Sequence, residues 1–267
     1  MNQPTPADEH AVAAMTDRTL AQVLGVSGGI VCAAGAGGKK SLLYALARAW
    51  PGRVAVTATV HLAPFPEDFA LAARVAEPSA LREAVVSAPG MIRAYACPAD
   101  KPGRYRGLPP AEIAAIHGLG GFDLTLVKAD GARMRHVKAP RPGEPVLVPG
   151  AGRVLWVVSA AAIGSPLDER IAHRPERIAD LTGAEPGRAL TVDHLRRLII
   201  AEDGARRCAD EIPLTVVINQ VDDADRLGAA QALADAVMRD GAGIDRVVLT
   251  CLRDAPRVLA VHGDRTA

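Results

Sequence analysis

Aromatic side chains are scarce: two Trp, three Tyr and three Phe make up only 3% of the 267 residues. The core must therefore be built from Ala, Val, Leu and Ile. A dominant charge is missing too, since 31 Lys and Arg balance 30 Asp and Glu to leave a formal net charge of +1. Without a basic field the chain has no sequence-independent pull on nucleic acid or anionic lipid. No apolar run reaches the roughly 20 residues of a membrane-spanning helix. The four cysteines, Cys32, Cys97, Cys208 and Cys251, form no CxxC pair and no Cys/His cluster, which argues against a zinc site. They read as buried, reduced thiols of a cytoplasmic protein. The first nine residues are polar and acidic, without the basic-then-apolar order of a secretory signal, and residues 1–10 read as a flexible tail. Lysine is the last scarcity: 5 of the 31 cations are Lys and 26 are Arg. Where such a chain keeps Lys39, Lys40 and Lys128, a compact ammonium matters more than a planar guanidinium.

What is present is apolar residue content: 49% of the chain is hydrophobic, enough for a sizeable core and too much for a disordered chain. The patterning predicts a helix over 11–24, a buried strand over 29–34, a glycine-rich turn, a helix over 39–50 and a strand over 53–60. Further along, 69–75 reads as helical, 91–97 as a strand and 100–108 as a polar loop. Residues 110–117 read as a short helix with Pro in its first turn, and 122–127 as a strand. The proline-rich 140–149 must be irregular, and 154–159 is the next buried strand. Helices are expected over 174–181, 192–201 and 224–239, and strands over 214–218 and 247–251, the last being the final core strand. Strands alternate with helices throughout. The expected fold is α/β, a doubly wound and mainly parallel sheet of P-loop NTPase type, with 11–267 as a single domain.

The segment Ala33-Ala34-Gly35-Ala36-Gly37-Gly38-Lys39-Lys40-Ser41 lies between a buried strand and a helix. That is where a phosphate-binding loop belongs: glycines let backbone N–H groups turn inward, the helix N-terminus adds partial positive charge, and a lysine reaches the outer phosphates. With Lys39 as that lysine, Gly38 fits the motif, Ala33 replaces its first glycine, and Lys40 stands where a metal-binding Ser or Thr belongs. With Lys40, Ser41 fits but Lys39 displaces a glycine. Lys39 is preferred because Gly37-Gly38 then form the tight part of the loop. The strand Leu124-Thr125-Leu126-Val127 runs into Lys128-Ala129-Asp130-Gly131, an order that brings a carboxylate to Mg²⁺ or its water shell, or else makes a simple Asp-Gly turn. In Asn219-Gln220-Val221-Asp222, Asp222 has the place of a carboxylate that reads the guanine edge, or of a helix cap. Thr57, Thr59 and His61 alternate at the end of the second strand and can present hydroxyls to a phosphate or to Mg²⁺. His173-Arg174-Pro175-Glu176 opens a helix as an anion site or a cap.

Taken in order, these residues resemble the YqeC family of selenium-dependent molybdenum hydroxylase accessory proteins. The stretches carrying the resemblance are Gly35–Lys39, Thr57–Pro64, Leu126–Ala132, Lys138-Ala139-Pro140, Glu144–Pro149, His173–Glu176 and Asn219–Asp222. The resemblance implies a P-loop nucleotide-binding protein that assists molybdenum hydroxylase maturation, with NTP hydrolysis slow. Gly35, Ala36, Gly37, Gly38, Lys39, Lys40 and Ser41 would bind phosphates, with Asn219 and Asp222 at the base. Asp130, Lys138 and Glu144 would serve catalysis, the latter two on a loop over the site, and Ser41, Thr59 and Asp130 would face a metal. The implied ligands are a purine nucleoside triphosphate, GTP or ATP, and Mg²⁺; the implied partner is a molybdenum hydroxylase or its cofactor-maturation proteins. Four positions depart from the family pattern: Lys40 for Thr, Lys128 for Glu, Gly143 for His and Gln220 for Lys. The first two add positive charge on the metal side, which weakens Mg²⁺ binding more than phosphate binding. A small-molecule kinase and a non-catalytic nucleotide-dependent scaffold fit the same residues.

Overall fold

The computed structural model describes residues 19–87, 90, 92–208, 212–241, 243–253 and 256–263. The expected tail, and most of the first expected helix, lie outside them. The helix described there is α1, Leu20–Leu24, started by a reciprocal capping box between Thr19 and Gln22. Strand β1 (Gly29–Gly35) leads through the glycine turn into α2 (Lys39–Ala49) and β2 (Val54–Ala58). The chain continues through α3 (Glu67–Ala70), β3 (Ala73–Val75), α4 (Pro78–Val86), β4 (Ile92–Ala96), α5 (Pro110–Leu119) and β5 (Leu124–Lys128). Then come β6 (Val137–Lys138), β7 (Ala151–Ser159), β8 (Ala172–His173), α6 (Pro175–Thr182) and α7 (Val192–Ile200). Strand β9 (Leu214–Asn219), α8 (Ala224–Asp240), β10 (Arg246–Cys251) and β11 (Arg257–His262) complete the chain.

Nine strands form one sheet in the order β11-β10-β9-β7-β1-β5-β2-β4-β3, every pair parallel except β10–β11. Parallel strands covered on both faces read as continuous apolar runs, which is why Ile30–Ala34 shows no polar alternation. The pleat still sorts them. Ile30, Cys32 and Ala34 face the layer containing Leu81, Ile113, Ile178, Leu195 and Leu233, from α4 to α8. Val31 and Ala33 face the opposite layer with Leu24, Leu42, Leu46 and Phe69, from α1 to α3. Helices on both faces make the fold doubly wound, as expected. All four cysteines are free and buried.

Two expectations are corrected. Residues 69–75 are not a helix: a short helix ends at Ala70 and Ala73–Val75 pairs with β4 at the sheet edge. Phe69 is fully buried while Leu71 is 85% exposed, so the run has the apolar content of a helix but no continuous buried face. Strand 247–251 is not the last either, since β11 adds antiparallel beside it; its residues are only half-buried, and its pattern was too weak to read.

The sheet reverses its direction of growth at β1. Strands β2 to β5 lie on one side and β7, β9, β10 and β11 on the other, so the carboxyl end of β1 opens into the crevice where open α/β sheets bind ligands.

Candidate phosphate site and its buried ion chain

The loop after β1 takes conformations that suit glycine. Gly35, Gly37 and Gly38 have φ of 87°, 87° and 118°. Space enforces the same choice: a Cβ on Gly35 would run into the Val157 carbonyl of β7, and one on Gly38 into the Asn219 side-chain amide. Gly38 is the residue before α2 and offers no side-chain cap, so the first N–H groups of that helix are free to meet an anion.

Lys39 does not point into solvent. It is 5% exposed, its Nζ donates to the Gly35 carbonyl, and it stands 2.8 Å from Asp130 Oδ1. Register explains the encounter. Lys128 at the end of β5 pairs with Ala33 of β1 and Ala58 of β2, and the Ala129 N–H continues the ladder to the Ala33 carbonyl at 2.9 Å. Asp130 is thus carried beside the loop, where its Oδ2 accepts the Gly35 N–H at 2.9 Å.

Asp130 is itself fully buried and anchors a longer chain of charges. Lys138 Nζ lies 2.8 Å from Asp130 Oδ2, 2.6 Å from Glu144 Oε2, and donates to the Gly131 carbonyl at 2.8 Å. Arg174 grips Glu144 with both terminal nitrogens, at 3.0 and 3.1 Å, and donates to the Ala139 carbonyl. The two-residue ladder β6–β8 sets these positions by pairing Lys138 with His173, next to Arg174. Four cations, Lys39, Lys138, Arg141 and Arg174, therefore share the two carboxylates Asp130 and Glu144, so the chain carries an excess of positive charge.

The electrostatics follow from burial and these neighbours. Burial pulls the Lys39 ammonium below its ordinary range, against Asp130, which favours the charged form. Burial alone would raise the Glu144 carboxyl, but hydrogen bonds from Arg174 and Lys138 outweigh it and hold the group at about 2. Burial, then the charges of Arg174, Lys138 and Arg133, bring His173 down to about 4. Lys128 donates to the His61 carbonyl at 2.9 Å; burial and the nearby charge of Lys39 lower it to about 7, with Lys138 and Lys40 acting in the same direction. Four of the five lysines thus lie within electrostatic reach of one another, which gives physical substance to the scarcity of lysine elsewhere.

Two of the three expected metal-side residues are engaged elsewhere, and the third is exposed. Both Asp130 oxygens are occupied, the Thr59 hydroxyl donates to the Val146 carbonyl at 2.8 Å, and Ser41 is exposed on the outer side of α2. Thr57 donates to the Tyr95 carbonyl. Among the described residues no three His, Cys, Asp or Glu side chains converge on a point. Lys40 is exposed, and burial of its stem together with the charge of Arg104 lowers its ammonium.

The Asn219–Asp222 segment braces the loop from the other side. Asn219 Nδ2 donates to the Gly37 carbonyl at 2.8 Å, and Thr250 donates to Asn219 Oδ1 at 3.0 Å. Gln220 has a φ of 62°, and its side-chain oxygen meets His136 Nδ1 at 3.0 Å and the Ser159 hydroxyl. Asp222 does not cap the following helix; Asp223 does, accepting the Arg226 N–H at 2.8 Å. Asp222 instead pairs with Arg226 at 3.0 Å and Arg253 at 2.9 Å, and accepts from the Cys251 thiol. Sequence reasoning placed Arg174 in a helix-opening segment, as an anion site or a cap, and passed over His136 and Ser159. No spacing signal links any of them to the loop, because their partners are distant in the chain.

A family model described as the YqeC protein matches residues 31–176, from β1 into the first turn of α6. The uncharacterized protein YqeC of Escherichia coli (strain K12) is 30% identical over 179 residues, which cover 66% of this chain and 69% of that protein. The family match spans the glycine loop and the whole Lys39–Asp130–Lys138–Glu144–Arg174 chain, whereas Asn219 and Asp222 lie beyond it. With a family model matched over more than half its length and a relative at this identity, the chain belongs to the YqeC family.

Proposed function

We propose that this protein binds a purine nucleoside triphosphate through the Gly35–Lys39 loop and acts, in the cytoplasm, as an accessory factor in the maturation of a molybdenum hydroxylase. The observation that carries the nucleotide reading is the buried Lys39 inside a left-handed glycine loop, at the end of the strand where the sheet reverses. The N–H groups at the N-terminus of α2 supply donors to phosphate oxygens, those of Gly35, Ala36 and Gly37 being taken by Asp130 and by the Val157 and Arg135 carbonyls, and Lys39 supplies a charge. The excess positive charge of the ion chain favours a multiply charged anion. The role in hydroxylase maturation rests on the family resemblance alone.

Between enzyme and scaffold, the engagement of Asp130 favours the scaffold. A fully buried carboxylate held by two ammonium groups is poorly placed to take a proton or to ligate Mg²⁺. The lysines would then take over part of the charge neutralisation that a metal ordinarily provides, and hydrolysis would be slow.

The test is titration calorimetry of ATP, GTP and inorganic tripolyphosphate into the wild type and Lys39→Ala. A charge-assisted contact contributes about 1.5–3 kcal/mol, so the substitution should weaken nucleotide binding roughly 10- to 150-fold. Equal affinity in the two proteins would remove the loop as the phosphate site.

A further inference from the structure

A groove of about 740 Å³ crosses the outer face of α2, between the Pro64–Pro66 turn and the segment after β10. Its wall begins at Lys40 and Ser41, the two residues that follow Lys39, and continues along the helix past Tyr44 and Ala45. Leu252 and Arg253 close its other side. We propose that this groove receives the nucleoside of the nucleotide whose phosphates the glycine loop holds, and that Arg253, not Asp222, is the side chain that meets the base. The proposal rests on the phosphate-site reading above.

Continuity is the first support. Lys40 and Ser41, which line the groove, directly follow Lys39, so the groove begins at the same N-terminal end of α2 that the glycine loop leads into. Its volume lies within the roughly 300–1,000 Å³ typical of small-molecule sites. The lining has the mixed character a nucleoside needs: Tyr44, Ala45, Leu252 and Pro64 for the flat ring, Ser41 for a sugar hydroxyl. Charge is the second support. Among the described residues Lys40 has no carboxylate partner, so an anionic group entering the groove beside it meets an uncompensated ammonium.

The state of Asp222 is the third support. A carboxylate reads guanine by accepting two N–H donors side by side, and it must present both oxygens to do so. Here Oδ2 is held by Arg226 and Arg253, Oδ1 accepts from Cys251, and the side chain is only 16% exposed. Asp222 instead fastens Arg253 at the rim of the groove, with the Arg253 side chain 70% exposed. A planar cation fixed at one edge offers its face for stacking. A face stacks on adenine and guanine alike, so base selection is weak.

The experiment uses the full chain and compares ADP, GDP and inorganic tripolyphosphate by calorimetry. The variants are Arg253→Ala and Ala49→Trp; Ala49 is an exposed residue on the groove wall where an indole would fill space. Arg253→Ala should weaken both nucleotides roughly 3- to 30-fold, the range of a stacked cation, and leave tripolyphosphate within twofold. Ala49→Trp should show the same split, and retained tripolyphosphate binding reports that each variant is folded. Wild-type ADP and GDP affinities should agree within about threefold.

If both variants bind nucleotides as the wild type does, the groove is not the nucleoside site, while the phosphate site stands. A large preference for GDP that Asp222→Asn abolishes would overturn the proposal in favour of Asp222 as the reader. If Lys39→Ala leaves tripolyphosphate and nucleotide binding unchanged, the phosphate site fails, and this proposal fails with it.

Discussion

Replacing Lys138 with Met tests whether the buried ion chain holds the site together. Lys138 is 1% exposed and lies within 2.8 Å of two carboxylates. Methionine keeps most of the stem volume and removes the ammonium. Breaking a buried ion pair by deleting one partner costs about 3–5 kcal/mol, because the remaining charge stays buried without compensation. The lower end applies here, since Asp130 keeps Lys39 and Glu144 keeps the Arg174 fork. At about 2–4 °C per kcal/mol for a chain of this size, a loss of about 3 kcal/mol lowers Tm by about 6–12 °C. The internal comparison is Asp68→Ala, which breaks the Arg48–Asp68 pair; both of its side chains are about half exposed. Solvent screening limits such a pair to about 0.2–1 kcal/mol. Urea unfolding of the wild type and the two variants gives the ratio directly. A double change, Asp130→Asn with Lys138→Met, should cost less than the sum of its parts, because the two groups touch. If Lys138→Met costs no more than Asp68→Ala, the chain is not the anchor described here.

Nucleotide binding should depend little on Mg²⁺, because both oxygens of Asp130 already face ammonium groups; comparing affinity in Mg²⁺ and in EDTA checks this, and a large loss in EDTA would contradict it. Acid should destabilise the fold in two windows. His173, near 4 in the folded chain, stays neutral while the unfolded chain binds protons, so stability falls between about pH 6.5 and 4; Glu144, near 2, loses its contribution as pH falls from about 4.5 to 2. Glu144→Gln should reduce the loss in the second window and, by removing a charge that favours protonated His173, deepen the first, read by urea midpoints across pH. Gly38→Ala should cost about 1–3 kcal/mol in stability, since φ of 118° strains any Cβ and the Asn219 amide stands in its way; unfolding midpoints unchanged from wild type would contradict this loop geometry.

The sequence by itself determined the features that are local. Ile30–Ala34 could only be a strand covered on both faces, and the glycines after it could only turn. Lys39 at the start of a helix followed from the motif, because strand, turn and helix N-terminus are adjacent in the chain. Asp130 at the end of an apolar strand was legible for the same reason. Tertiary structure decided who meets whom. Asp130 reaches Gly35 across 95 residues because β5 inserts between β1 and β2, and no periodicity reports strand order. Glu144 finds Arg174 through a two-residue ladder too short to leave a pattern. Residues 69–75 show the limit in secondary structure itself: Ala73–Val75 is a strand only because β4 offers it an edge. Asp222 shows it for chemistry, since a carboxylate placed to read a base is instead bound to Arg226 and Arg253, and Arg253 arrives from the end of a different strand.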